Sequence, residues 1–344
     1  MKKSILNFFL AFYLLAGFAA SAQENVLLPK DAVKLRIRVI VDNDFGGDPD
    51  GLFQLVHQVL SPSVEIRGII GSHLKPGDFF DPSDKTATHA CDAVKELLAK
   101  MNLSNKFPIY EGSNLGLSDS KTPRISDGAK AIVKEAMRED TNLPLYIVCG
   151  AGLTDIASAY LMEPKIAKRL TLIWIGGPEY TDLAPPPPGY TSLEYNLGID
   201  IIAGQTIFNA SDIPLWQIPR STYRLALLSW SELLLKVKPH GMIGEYLANK
   251  IETIMKRTQQ FKLLLGETYI LGDSPLVLLT ALQSSFEADP SSSQYALKPA
   301  PKINDSGLYE VNASARNIRV YTHLDIRLMF EDFFSKLALL NAQK

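Results

Sequence analysis

Val39-Ile40-Val41-Asp42-Asn43-Asp44-Phe45-Gly46-Gly47-Asp48-Pro49-Asp50-Gly51 begins as a β-branched run and ends in a Gly- and Pro-rich turn, with four aspartates between positions 42 and 50. The run has the length and composition of a buried strand, and the turn has the residues that stop one. Working outward, Val64 to Ile70, Leu145 to Cys149 and Leu170 to Ile175 repeat the strand-like pattern. Longer segments lie between them. Thr86 to Met101 places Ala90, Val94, Leu97 and Leu98 at helical spacing, and Ala129 to Met137 does the same with Ile132, Val133 and Ala136, after Asp127 and Gly128. Strand-helix-strand alternation predicts an α/β fold: one open, mainly parallel sheet flanked by helices, with a Rossmann-like core. In such sheets ligands bind beyond the carboxyl ends of the strands, so the residues that follow each strand are the candidates for function.

Composition narrows the function. A chain of 344 residues, 46% hydrophobic and 21% charged, has the balance of a folded globular protein, which excludes a disordered one. With 35 Lys and Arg against 37 Asp and Glu there is no basic excess to neutralise phosphates, so nucleic acid is not an expected partner and a small molecule is. Lys2 and Lys3, the apolar run Ile5 to Ala19 and the small residues Ala20-Ser21-Ala22 read as a secretory signal peptide over residues 1–22. That implies a periplasmic or secreted protein with no membrane span after cleavage, and a single domain over residues 23–344. No later run of 18 apolar residues and no repeat is visible; Pro185-Pro186-Pro187-Pro188-Gly189 reads as a surface loop. Cys91 and Cys149 both lie in segments of regular structure, and two cysteines alone do not make a disulfide framework.

Carboxylates packed as closely as those at positions 42–50 raise one another's pKa unless a cation or hydrogen-bond donors neutralise them. A hard divalent ion with oxygen ligands is the simplest remedy, and a solvated acidic turn is the plain alternative. The spacing is not that of an EF-hand loop, because neither a glycine at the sixth position nor an acid at the twelfth falls in place. A second carboxylate, Asp273 in Leu271-Gly272-Asp273-Ser274-Pro275-Leu276, precedes a helix-like run and reads either as a site residue or as a helix cap. A third segment is Glu194-Tyr195-Asn196-Leu197-Gly198-Ile199-Asp200, where Glu194 and Asn196 would share a side if the chain is extended. Of the five histidines, His73 follows the second strand and is placed by topology nearest the expected cleft, whereas His57, His89, His240 and His323 read as structural. Trp216, Trp230, Tyr223 and Tyr269 read as core or rim aromatics.

Taken together and in order, these segments resemble the inosine-uridine-preferring nucleoside hydrolase family. Arg38 to Leu55 resembles its amino-terminal aspartate signature, and Ile66 to Ser72 its second strand. Cys149-Gly150-Ala151-Gly152-Leu153-Thr154-Asp155-Ile156-Ala157 is similar to its G-x-L-T-N-[IV]-A turn, and Ile173 to Gly177 to the apolar strand ending in Gly-Gly. Glu194-Tyr195-Asn196 is similar to E-F-N, and Gly272-Asp273-Ser274-Pro275-Leu276 to H-D-P-L. The resemblance implies a tightly held Ca²⁺ and hydrolysis of the N-glycosidic bond of a ribonucleoside to free base and ribose, in a chain that is commonly a homodimer or homotetramer. It implies Asp44 as a metal ligand and as the base for the attacking water, and Asp273 as a ligand from the distal turn. A main-chain carbonyl at Cys149 or Gly150 would add another ligand, with Asp48 or Asp50 completing the set and touching the ribose hydroxyls. Glu194 and Asn196 would hold the sugar.

The sequence departs from the family at four places. Asp48-Pro49-Asp50-Gly51 breaks the adjacent acidic pair, Gly272 replaces the histidine that often acts as general acid, Asp155 stands where Asn is usual, and the loop before Glu194 is proline-rich. Without that histidine, a base that leaves easily is expected, a purine or an already-cationic base such as nicotinamide, with His73 as the histidine placed to substitute. The alternative reading is a Ca²⁺-dependent nucleoside- or sugar-binding protein with a degenerate site. A haloacid-dehalogenase-type phosphatase shares only the Asp42-x-Asp44 pattern.

Overall fold

The computed structural model describes residues 32–284 and 291–342; the signal-peptide reading of residues 1–22 falls outside them. The four strand-like runs become β1 (Ile37–Asn43), β2 (Val64–Gly71), β4 (Leu145–Cys149) and β5 (Leu170–Ile175) of one sheet, which also contains β3 (Ile109–Glu111), β6 (Leu215–Ile218), β7 (Ser293–Pro299) and β8 (Asn317–Leu324), not read from the sequence. Their spatial order is β3-β2-β1-β4-β5-β6-β8-β7. Every pairing is parallel except that of β7 with β8. All seven residues of β1 are buried, as expected of a strand covered on both faces. Val39 and Val41 enter one hydrophobic cluster with Phe53, Leu55 and Phe333, while Ile40 enters a second with Ile70, Ile147 and Trp174 on the opposite face. The expected helices form over Thr86–Lys100 and Asp127–Ala136, the latter capped by Ser126 Oγ accepting from the Ala129 N–H.

Strand order locates the ligand edge. From β1 the chain moves outward through β2 and β3, then returns to lay β4, β5 and β6 on the other side of β1. The reversal falls between β1 and β4, the position at which open α/β sheets leave a crevice beyond their strand ends. Asp42 pairs with Cys149 across that boundary, so the aspartate turn and Gly150 emerge side by side. Among the described residues no helix is long and apolar enough to cross a membrane. Cys91 and Cys149 are buried free thiols, held apart in the packing of separate elements.

One histidine ties the fold to pH. His57, on the helix Asp50–Val59, is buried with its Nε2 2.7 Å from Asp332 of the helix Ile326–Ala342; Lys336 Nζ lies 2.6 Å from the same Asp332 oxygen. Burial, reinforced by the Lys336 charge and opposed by Asp332, pushes the imidazole down to about 4. Because the unfolded chain then binds the proton first, this contribution is present above pH 6.5 and is lost as pH falls towards 4. We expect the wild type to lose about 2 kcal/mol more than His57→Gln between pH 7 and pH 5, read from denaturant midpoints. Parallel pH dependence in the two proteins would show that His57 titrates normally.

Candidate functional site

The β1–helix turn supplies the acids. Asn43 Oδ1 accepts from the Asp44 N–H at 2.8 Å, and the Gly47 N–H donates to the Asp44 carbonyl at 2.7 Å, which curls the chain so that Asp44 and Asp48 face the same way. Pro49 sets the backbone entering the helix, and Asp50 sits in its first turn, where the helix dipole favours an anion. Asn43 Nδ2 reaches across to Asp273 Oδ2 at 2.9 Å, joining the first turn to the distal one. Asp44, Asp48, Asp50 and Asp273 then line one cavity of about 230 Å³ with Gly150, Glu194 and Asn196.

The acids feel one another. Burial first, then the charges of Asp273, Asp48 and Asp78, hold the Asp44 carboxyl well above the usual range. Asp50 is raised well above it in the same way, with Asp273, Asp48 and Asp44 acting after burial. Burial pushes Asp273 up to about 7 against the Asn43 hydrogen bond, and Asp48 up to about 6 against the Tyr269 hydroxyl that donates to it at 2.9 Å. Asp42, the remaining acid of the turn, points elsewhere: it accepts from Ser72 and does not line the cavity.

Glu194 and Asn196 face the aspartates from the end of β5, but on a short helix, Tyr195–Ile199, and not on an extended segment. Glu194 is its cap, with Oε2 accepting from Leu197 N–H at 3.0 Å and Gly177 N–H at 2.7 Å, and Oε1 accepting from the Tyr223 hydroxyl at 2.8 Å. Gly177 can aim its N–H there because it sits at φ 86°, a backbone open to glycine. Asn196 Nδ2 donates to the carbonyls of Gly150 (3.1 Å) and Ile175 (2.8 Å), leaving Oδ1 as its acceptor. Of the Cys149-Gly150 pair only Gly150 reaches the cavity; the Cys149 side chain is packed in the core. A Cβ at Gly150 would come within 2.5 Å of Asn43 Nδ2 and 2.6 Å of Asp273 Cγ, so this approach needs glycine.

His73 is not brought to the site. Its Nδ1 lies 2.8 Å from the Leu74 carbonyl and its Nε2 2.8 Å from Thr154 Oγ1, and Thr154 donates in turn to Asp200. Both ring nitrogens are engaged in the packing behind the cavity, and His73 does not line it. At the distal turn, the Gly272 position is filled from the side: a Cβ there would stand 3.2 Å from the Tyr223 ring and 3.3 Å from Asp50 Oδ2. Gly272→His is therefore expected to lower stability by roughly 1 kcal/mol, since its Cβ makes the Tyr223 ring and the Asp50 carboxylate give way by a few tenths of an ångström. An unchanged urea midpoint would show that the turn has room.

Several lining residues escape a reading of the sequence. Arg220 follows β6 and makes a bidentate pair with Glu179 at 2.7 Å on both arms, while its Nη1 donates to the Thr191 carbonyl at 2.8 Å. Tyr195 lines the cavity and donates to Asp78 at 2.8 Å. Tyr223, read from the sequence as core or rim, lines the cavity and donates to Glu194, while Tyr269 donates to Asp48 without lining that cavity. The rule that located the aspartates, looking just after each strand, would have found Arg220 had β6 been recognised.

Would this set hold a metal? Its donors are oxygens alone, anionic and mutually repelling, which is the chemistry of a hard divalent cation. As the side chains stand, no group of three His, Cys, Asp or Glu among the described residues is arranged to hold an ion. The chemistry fits a cation; closing around one requires side-chain movement.

The sequence pattern of the family described as inosine-uridine preferring nucleoside hydrolase matches residues 39–327. No curated protein matches the chain in sequence. Among solved structures, a purine-preferring ribonucleoside hydrolase from Gardnerella vaginalis is similar with a TM-score of 0.67 at 15% identity, covering 89% of this chain and 100% of that one. An inosine-uridine preferring nucleoside hydrolase from Bacillus anthracis is similar at 0.60 and 14% identity, covering 88% and 99%. The type III effector protein XopQ, complexed with adenosine diphosphate ribose, is similar at 0.58 and 14% identity, covering 91% and 95%.

Proposed function

The chain belongs to the inosine-uridine preferring nucleoside hydrolase family, and from that membership we propose that it hydrolyses the N-glycosidic bond of a purine-type ribonucleoside to free base and ribose, assisted by Ca²⁺. The observation that carries this reading is the meeting, at the switch point of the sheet, of Asp44, Asp48, Asp50 and Asp273 with Glu194 and Asn196 around one cavity. Breaking the bond builds positive charge at C1′, and carboxylates held in a water-poor site stabilise it. Asp44, fixed by Asn43, is the group that takes the proton of the attacking water. Glu194, immobilised by three donors, and the Oδ1 of Asn196 accept from sugar hydroxyls.

Asp44 and Asp273, with Asp48 or Asp50 and the Gly150 carbonyl, would hold the Ca²⁺, which when bound orients the sugar diol and lowers the pKa of a water. Elemental analysis of the purified protein should find one calcium per chain. Stoichiometric zinc, or a protein that cannot be loaded with Ca²⁺, would contradict the assignment.

With Gly272 at the distal turn and both His73 nitrogens engaged, departure of the base relies on the base itself. Purines accept a proton at N7 more readily than uracil does anywhere, so inosine should exceed uridine in kcat/KM, with nicotinamide riboside also cleaved. Uridine as the best substrate would overturn the preference.

A further inference from the structure

The polar cavity, at about 230 Å³, is smaller than the roughly 300–1,000 Å³ usual for a small-molecule site. It adjoins a larger cavity of about 560 Å³, and the two share Asp48, Phe80 and Ile270 as walls. The character changes across that boundary: beyond it Phe79, Ile254, Phe261, Leu263 and Leu265 outweigh the polar walls Thr258 and Thr268. Phe79 stands edge-on to Phe80 and to Phe261, with ring centres 5.4 and 5.5 Å apart. Arg257, near the end of the helix Gly241–Gln260, lays its guanidinium 4.1 Å over the Phe79 ring and donates to the carbonyls of Phe79 and Phe80. On the other side Asp78 accepts from Tyr195, which lines the polar cavity. The segment carrying both phenylalanines is thus tied to both cavities at once.

Glu194, Asn196 and the aspartates are the acceptors suited to sugar hydroxyls, and a base bound with its ring towards the shared walls Phe80 and Ile270 would direct its edge at the apolar cavity. Whatever the base carries beyond its ring then enters the apolar cavity. Phe261 and Leu263 remain 66% and 56% exposed there, apolar surface that an occupant would remove from water. We infer, on the basis of the nucleoside hydrolase reading above, that this cavity is an aglycone subsite and that the preferred substrate is an N-riboside whose base bears an apolar substituent.

The test compares adenosine with N6-hexyladenosine in turnover and in calorimetric binding to the Ca²⁺-loaded full chain, for the wild type and for Leu263→Asp. The inference predicts at least a roughly tenfold higher kcat/KM for N6-hexyladenosine, and a fall of that ratio towards one in the variant, since a carboxylate at the pocket wall opposes the alkyl chain. Adenosine cleaved as well as or better than its hexyl derivative overturns the inference and leaves nucleoside hydrolysis standing. If neither nucleoside is cleaved, the binding ratio decides the subsite, equal affinities overturning it; the hydrolase reading falls only if inosine and the wider panel are left intact as well. Sedimentation velocity adds the last outcome. If Leu263→Asp dissociates an oligomer and leaves the substrate ratio unchanged, the surface is covered by a second copy and the inference fails.

Discussion

Asp44→Ala should lower kcat/KM for the best ribonucleoside by at least about 1,000-fold, close to 4 kcal/mol of transition-state stabilisation, with the fold intact. The size follows from the two roles proposed above for this one carboxylate. General-base catalysis alone contributes about 10²- to 10⁴-fold, and in the proposed reaction Asp44 would also stabilise the positive charge that develops on the sugar. The fold should survive because burial and the charges of Asp273, Asp48 and Asp78 already work against the Asp44 anion, so its removal relieves repulsion. Unchanged circular dichroism and, with Ca²⁺ removed from both proteins, an equal or higher denaturant midpoint are expected alongside the lost activity. Retention of more than about a tenth of the activity would mean that Asp44 is not the base.

Arg220→Ala should cost about 3–5 kcal/mol of stability. Arg220 and Glu179 are both 7% exposed and joined on both arms, so deleting the guanidinium strands a buried carboxylate. The same change releases the Thr191 carbonyl and with it the end of the proline-rich loop. The double variant Arg220→Met with Glu179→Leu should recover most of the loss, because an apolar pair leaves no charge unpaired. Urea midpoints of the three proteins check this. A single variant within about 0.5 kcal/mol of wild type would show that the pair is solvated and weak.

Half of the sheet was legible because β1, β2, β4 and β5 are short, rich in β-branched residues and mostly buried, and because acids crowd the turn after β1. Where those signals weaken, the sequence misleads. Leu215-Trp216-Gln217-Ile218 forms β6 with a polar residue inside it, and its concealment hides Arg220. Glu194-Tyr195-Asn196 has the alternation of a strand, yet Glu194 accepts from Leu197 three residues on and caps a helix, a local bond that outweighs the pattern. His73 follows β2 as expected, but position after a strand does not set the direction of a side chain, and Thr154 takes its Nε2. Asn43 carries no charge to draw notice between two aspartates, although it joins the two acidic turns. Tyr223 occupying the flank of Gly272 is a contact between turns, visible only once both are placed.

The most direct test is to incubate the Ca²⁺-loaded protein with a panel of ribonucleosides in phosphate-free buffer and to measure free base and reducing sugar together. The account predicts equimolar base and ribose from at least one purine ribonucleoside, abolished in Asp44→Ala. Nucleosides that bind tightly yet release neither product, under any loading with Ca²⁺, would contradict it and leave a binding protein with a degenerate site.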